Sequence, residues 1–183
     1  MWRTKENCCR GHRLWKEHIE KEISFFTCEK VRIPGCEGGN VGCSRAHINA
    51  LNSFIDSGEE SCIIFEDDFT FIRDPNEFEF PKEPWDVVML SSKVIKSVPH
   101  SEKFEKVIEA QTLSGYAVHR NFAPVLLKNF MEGVELLINK GNPNVHAVDQ
   151  YCKNIQPDSN WFVCSPIFGV QNPDYSDIEL TYV

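Results

Sequence analysis

Glu66, Asp67 and Asp68 stand side by side at the end of the apolar run "SCIIF", and "FTF" follows them directly. Two like charges about 4 Å apart at an effective dielectric of about 20 repel by roughly 4 kcal/mol. Three in a row are costly unless something offsets them: backbone N–H groups, a basic partner, a divalent cation or water. Carboxylate oxygens are what hard cations such as Mn²⁺ or Mg²⁺ take as ligands, and open α/β sheets bind ligands beyond the carboxyl ends of their strands. The segment reads two ways: a cation site, or an acidic turn whose side chains cap nearby N–H groups and face water.

A second group of candidates follows the glycine-rich stretch "PGCEGGNVG". Ser44 is placed to cap a helix over "RAHINALNSFIDS", which would put Arg45 and His47 in its first turn. A helix N-terminus attracts phosphate, and glycine lets backbone come close to it. His47 then serves an anionic ligand or packing, and Arg45 a diphosphate or solvent.

The elements that must position these groups can be read from periodicity. Trp15, Ile19 and Ile23 are four apart, one face of a helix over 13–23. "SFFTC" and "KVRI" read as short extended pieces. Ile48, Leu51 and Ile55 form the buried stripe of the Ser44 helix, and Gly58 ends it. "SCIIF", "WDVVMLS", "TLSGYAVH" and "NWFVCSPIFG" are strands, the first two apolar enough to be covered on both faces. "RDPNEFEFPKEP" is a loop, and residues 92–110 are polar and poorly patterned, a hairpin or flap. "NFAPVLLKNFMEGVELLINKG" is a helix capped by Asn121, "NVHAVDQYCKNI" a short helix or turn, and the tail after residue 170 irregular. Helices interleaved with buried strands predict an α/β layer architecture in one domain over 1–183.

Composition narrows the partners. The chain has 183 residues, 42% hydrophobic and 25% charged, with 27 acidic against 19 basic side chains and a net charge of −8. That balance excludes the broad positive footprint of a nucleic-acid binder. No apolar run reaches the roughly 20 residues of a membrane span, and "MWRTKENCCRGHR" lacks the apolar core of a signal peptide. A cytoplasmic location is expected. Eight cysteines, at 8, 9, 28, 36, 43, 62, 152 and 164, contain no CxxC pair. Reduced thiols are expected, with Cys28, Cys62 and Cys164 as small core residues. A bridge between Cys36 and Cys43 across the glycine-rich loop is the alternative.

The order of the segments carries more than any one of them. "VGCSRAHINAL", "CIIFEDDFTF", "WDVVMLSSK", "TLSGYAVHRNFAPVLL", "HAVDQYC" and "SPIFGVQNPDYSDIE" together resemble glycosyltransferase family 25, over about residues 40–180. That family includes lipooligosaccharide galactosyltransferases and procollagen galactosyltransferase domains. The resemblance implies a single-domain GT-A-like fold, a mixed Rossmann-like sheet flanked by helices. It also implies transfer of a hexose, most often galactose, from a UDP-sugar to a hydroxyl on a glycan or protein, with inversion. Glu66-Asp67-Asp68 then plays the part of a DxD motif holding Mn²⁺ (or Mg²⁺) against the diphosphate, with Asp68 and Glu66 as metal ligands and Asp67 on the donor sugar or ribose. Asp149, matching the family's V-D, is the implied base that takes the acceptor proton, with Asp86 a competitor; a plain helix-start carboxylate is the other role open to Asp149. His47, Arg45, Gly115, Tyr116, Gln171 and Asp177 are the implied donor-binding residues. A bulge glycine in a core strand equally accounts for Gly115.

Two departures stand out. The family's serine before the histidine is Ala46 here, and nothing before residue 13 reads as the apolar strand with which members open, so a shortened or divergent N-terminus is expected. Those departures favour the alternative function, a catalytically degenerate binding module on the same fold. A metal-dependent phosphoesterase or nucleotidyltransferase would use the three carboxylates but leave the other segments unexplained.

Overall fold

The computed structural model describes residues 2–4, 11–24, 32–34, 39–172, 175–176 and 181–182, with side chains over 17–24 and 39–172. In chain order the elements are β1 (Trp2–Thr4), α1 (Gly11–Glu22), β2 (Arg32–Pro34), α2 (Gly39–Ser57), β3 (Ser61–Phe65), β4 (Phe69–Phe71), β5 (Val87–Pro99) and β6 (Phe104–His119). Then come α3 (Ala123–Lys140), α4 (Pro143–His146), α5 (Val148–Tyr151), β7 (Trp161–Cys164), β8 (Gly169–Gln171), β9 (Tyr175–Ser176) and β10 (Thr181–Tyr182). The protein is mixed α/β, as its pattern predicts.

Six strands form the main sheet in the order β2-β1-β3-β6-β5-β7. β1, β2, β3, β5 and β7 run one way and β6 runs against them. Alternation sorts the central strands into two cores. Val87 and Met89 of β5 face a cluster with Leu51, Phe54, Leu126, Phe130 and Trp161, whereas Val88 and Leu90 face one with Ile19, Phe65, Phe69 and Phe162. Burial on both faces is why these strands read as unbroken apolar runs. α2 and α3 cover the first face, and Ile19 and Ile23 of α1 are buried against the second.

The structure departs from expectation in four places, each with a physical reason. First, β1 lies between β2 and β3 in the sheet, so the chain does place a strand ahead of residue 13; its three residues are too short to show a period. Second, the tail expected to be irregular pairs β8 with β4 and β10 with β9, antiparallel in both, whereas residues 92–110 form the hairpin, one of the two forms expected, as a long antiparallel ribbon of β5 and β6 with several register shifts. Such bulges bend a ribbon, and here β6 swings round so that Phe104–Lys106 pair with β7 as well. Third, α2 begins at Gly39, so the helix takes in Gly39 and Gly42 of the stretch expected to form a loop, Gly35 and Gly38 lying outside the described residues, and Ser44 is no cap but donates back to the Asn40 carbonyl at 2.8 Å. Fourth, α3 is entered at Phe122 without a side-chain cap, Pro124 supplying the preset backbone instead of Asn121. Gly58 at φ +80° follows α2, as expected of a helix stop.

Four of the cysteines are described, and Cys43, Cys62, Cys152 and Cys164 are all free thiols. Cys43 is therefore not bridged to Cys36, which lies outside the described residues together with Cys8, Cys9 and Cys28. Burial pushes Cys62 and Cys164 up to about 12 and Cys152 further still. At pH 8 a thiol titrating near 12 is a thiolate in roughly one molecule in 10⁴. Alkylation of the native protein at pH 8, mapped by peptide mass, is expected to leave Cys62, Cys152 and Cys164 unlabelled until denaturant is added; rapid native labelling at any of them would contradict this burial.

Candidate functional site

A turn follows β3 and sends Glu66 and Asp68 to different partners. Glu66 ends its pairing by donating its N–H to the Ser114 carbonyl at 2.7 Å, and Phe69 N–H closes the turn on the Glu66 carbonyl at 3.2 Å. Glu66 Oε1 then accepts from His47 Nε2 at 3.1 Å and from the Cys43 thiol at 3.4 Å. Asp68 points elsewhere, its Oδ2 accepting from the Gln171 amide at 2.9 Å, while its carbonyl accepts from Asn172 N–H at 2.7 Å. Asp67 is buried at 9% exposure.

Cys43 and His47 are four apart on α2 and so share a face, which meets the end of β3. His47 is 2% exposed and stacks against Tyr116 with ring centroids 5.7 Å apart. An ionised carboxylate only accepts, so Nε2 carries the proton toward Glu66 and Nδ1 accepts from the Tyr116 hydroxyl at 3.0 Å. Because α2 starts at Gly39, His47 sits in the third turn and not beside the helix N-terminus, which removes the dipole basis for phosphate binding there.

Beyond the carboxyl end of β3, where β6 continues past it, these groups line a cavity of about 430 Å³. Asp149 lines it from α5, together with Gln111 and Thr112 of β6, and Gln171 of β8 closes it. Asp149 Oδ2 accepts from Gln150 Nε2 at 3.0 Å and from the Thr112 N–H at 3.4 Å. Burial raises the Asp149 carboxyl above the ordinary carboxylate range, with the Glu66 charge adding to the rise and the Thr112, Gln150 and Lys153 contacts opposing it. A carboxylate raised in this way is a stronger base than one in water. α5 is only four residues long, so a macrodipole role for Asp149 has little helix behind it.

Thr112 holds φ +73°, and it is the one non-glycine residue with positive φ among those described. A β-branched residue there costs on the order of 1–3 kcal/mol. The conformation turns the Thr112 N–H toward Asp149, and backbone strain gathered at a cavity is a recurring mark of functional sites. Thr112→Gly keeps the N–H and removes the clash. Even after the roughly 0.5–1 kcal/mol that glycine costs in chain entropy, a higher midpoint in urea unfolding is expected; a lower midpoint would show that the threonine side chain stabilises more than its backbone costs.

Of the residues named from sequence, His47, Glu66, Asp149 and Gln171 line the one cavity. Asp68 reaches it through Gln171. Arg45 and Asp67 are not among its lining residues, and neither are Gly115 and Tyr116. A Cβ on Gly115 would meet the Phe69 ring at 2.4 Å, so that glycine makes room for a core phenylalanine, and Tyr116 is a buried support for His47. Asp86 is structural, accepting from Asn160 N–H at 2.7 Å. Asp177, like Glu179, lies outside the described residues. Sequence reasoning missed Cys43, Thr112 and Gln111; only the i, i+4 spacing of Cys43 and His47 offered a signal.

The expected metal ligands Glu66 and Asp68 are not gathered into one donor group. Among the described residues, the group of three or more His, Cys, Asp or Glu side chains close enough to share an ion is Cys43, His47 and Glu66. No helix among the described residues is long and apolar enough to cross a membrane. No protein-family model matches the chain, and no curated protein matches it.

Proposed function

We propose that this chain is an inverting glycosyltransferase that moves a hexose, galactose first, from a UDP-sugar to a hydroxyl on a glycan or protein. The observation that supports it is convergence: four segments far apart in sequence, each named by its likeness to family 25, bring His47, Glu66, Asp149 and Gln171 to one cavity. A GT-A reading of the fold has support in the mixed sheet, with the carboxylate turn following the parallel strand β3.

In this reading the sugar and diphosphate enter the cavity between β6 and α5. Asp149, already raised by burial, accepts the proton of the acceptor hydroxyl as its oxygen attacks the anomeric carbon from the face opposite the leaving group. The Thr112 N–H and the Gln150 amide hold its carboxylate in place. His47, held by Tyr116, fixes Glu66 at the cavity wall. Asp68 and Glu66 are the carboxylates that would hold Mn²⁺ or Mg²⁺, which when bound neutralises the charge developing on the departing diphosphate.

With no acceptor added, water takes the acceptor's place. The bond from the anomeric carbon to the diphosphate oxygen breaks, UDP leaves, and the new C–O bond forms to water as its proton passes to Asp149. Incubation with UDP-α-galactose should release UDP and give β-galactose first, read by proton NMR before mutarotation. The α-anomer first would exclude inversion. Nucleotide binding without any turnover, in the presence of acceptor hydroxyls, would establish the binding module instead.

A further inference from the structure

We infer that Cys43, His47 and Glu66 form a binding site for a thiophilic divalent ion, Zn²⁺ or its analogue Co²⁺. The three donor atoms lie within 4.8 Å of one another. Bond lengths of about 2.3 Å to sulfur and about 2.0–2.1 Å to nitrogen or oxygen, spread tetrahedrally, put the donors roughly 3.3–3.6 Å apart. His47 Nε2 and Glu66 Oε1 are already at 3.1 Å, and Cys43 Sγ and Glu66 Oε1 at 3.4 Å. Those two distances need shifts of only a few tenths of an ångström to admit an ion.

The scaffold is rigid where it needs to be. Cys43 and His47 project from one face of α2, the i, i+4 arrangement by which a helix offers two ligands to one metal. Glu66 comes from the closed turn after β3. Tyr116 is fully buried and touches the other ring nitrogen of His47 at 3.0 Å. When Nε2 binds the ion, the imidazole carries its proton on Nδ1 and donates it to the Tyr116 oxygen, the kind of support that fixes a metal-bound histidine. The Cys43 thiol proton passes to solvent. The fourth position opens into the cavity, three protein ligands and one exchangeable site. Sulfur and imidazole donors select Zn²⁺ and Co²⁺ over Mn²⁺ and Mg²⁺, so with this ion bound Glu66 is engaged and Asp68 is the carboxylate left to hold an ion carried in by a diphosphate. The site stands whether or not the cavity takes a nucleotide-sugar.

The test is Co²⁺ titration of the reduced, metal-free full chain, followed by absorbance. The expected result is the intense visible bands of tetrahedral Co²⁺ with a near-ultraviolet thiolate charge-transfer band, both bleached by Zn²⁺ and unaffected by excess Mg²⁺. Cys43→Ser should lose the charge-transfer band. Tyr116→Phe should keep both spectra and bind about 10- to 100-fold more weakly. X-ray absorption on the wild-type Zn²⁺ complex needs no variant to fold and should give one sulfur with nitrogen or oxygen neighbours. No charge-transfer band, an unchanged spectrum in folded Cys43→Ser, or a shell with no sulfur or with several would overturn the assignment.

Discussion

Replacing Asp149 by asparagine is expected to lower sugar transfer by about 10²- to 10⁴-fold, the usual worth of a positioned base, while donor binding and folding persist. Asparagine keeps an oxygen for the Thr112 N–H and nearly the same volume. It also removes a buried charge. A carboxyl whose folded-state value is raised binds its proton more tightly in the native state, so the charge costs stability as pH rises from its unfolded to its folded value, and that cost remains at neutral pH. The variant should therefore melt at or above the wild-type temperature at pH 7. In the wild type, transfer needs the deprotonated form, so activity should fall as pH is lowered through the raised value, at a higher pH than an ordinary carboxylate would give. Asp149→Asn should lack that limb. Near-normal transfer in the variant would pass the role to another carboxylate; loss of folding and binding together would make Asp149 a structural residue.

Gly169→Ala should destabilise the fold by at least about 1–3 kcal/mol, the range for overpacking a dense core. Phe69 is fully buried between Phe65 and Phe71, with ring centroids 4.7 Å from each. A Cβ on Gly169 would lie 2.2 Å from its Cζ and 2.8 Å from the Thr70 carbonyl oxygen. A Cβ on Gly115 would meet the same ring at 2.4 Å, so both glycines make room for it. Phe69→Leu in the Gly169→Ala background should be less harmful than the two single changes summed, a coupling readable by a double-mutant cycle in urea. Additive losses would mean that the ring and the glycine do not share the strain. The effect reaches the site, because Phe69 follows Asp68 and pairs with Gln171 across β4 and β8. Donor affinity in Gly169→Ala should drop along with stability.

The central strands were legible because burial on two faces imposes an apolar run, and the α2 stripe was legible in part: Leu51 is fully buried, Ile48 and Ile55 lie half-buried at its edge, and Ala50 and Phe54 complete the buried face. The outer half of the β5–β6 ribbon was legible only as far as a choice between hairpin and flap. Lys93–Lys96 are exposed, so no core enforces alternation there, and the bulges break what period remains. β1 is three residues long and carries no pattern, and α2 takes Gly42 into its interior, tertiary packing overriding a propensity cost of about 1 kcal/mol. At the site, Glu66 was visible as a carboxylate at the end of an apolar strand and His47 as a polar residue in a helix after a glycine-rich stretch, whereas Asp149 and Gln171 were named only through the likeness to family 25. Tyr116 and Gly115 were visible too, with a core role and a donor-binding role both open, because whether a residue faces a cavity or a neighbour's ring depends on which strand lies beside it. Thr112 left no trace at all: its backbone angle belongs to the fold of the ribbon.

The central claim is that this cavity binds a uridine diphosphate donor, and calorimetry of UDP with and without Mn²⁺ tests it most directly. Saturable binding to the wild type that strengthens with Mn²⁺, and that is lost in a folded Asp68→Ala variant, is the predicted result. No heat of binding at millimolar UDP under either condition, from protein with an intact melting transition, would contradict it.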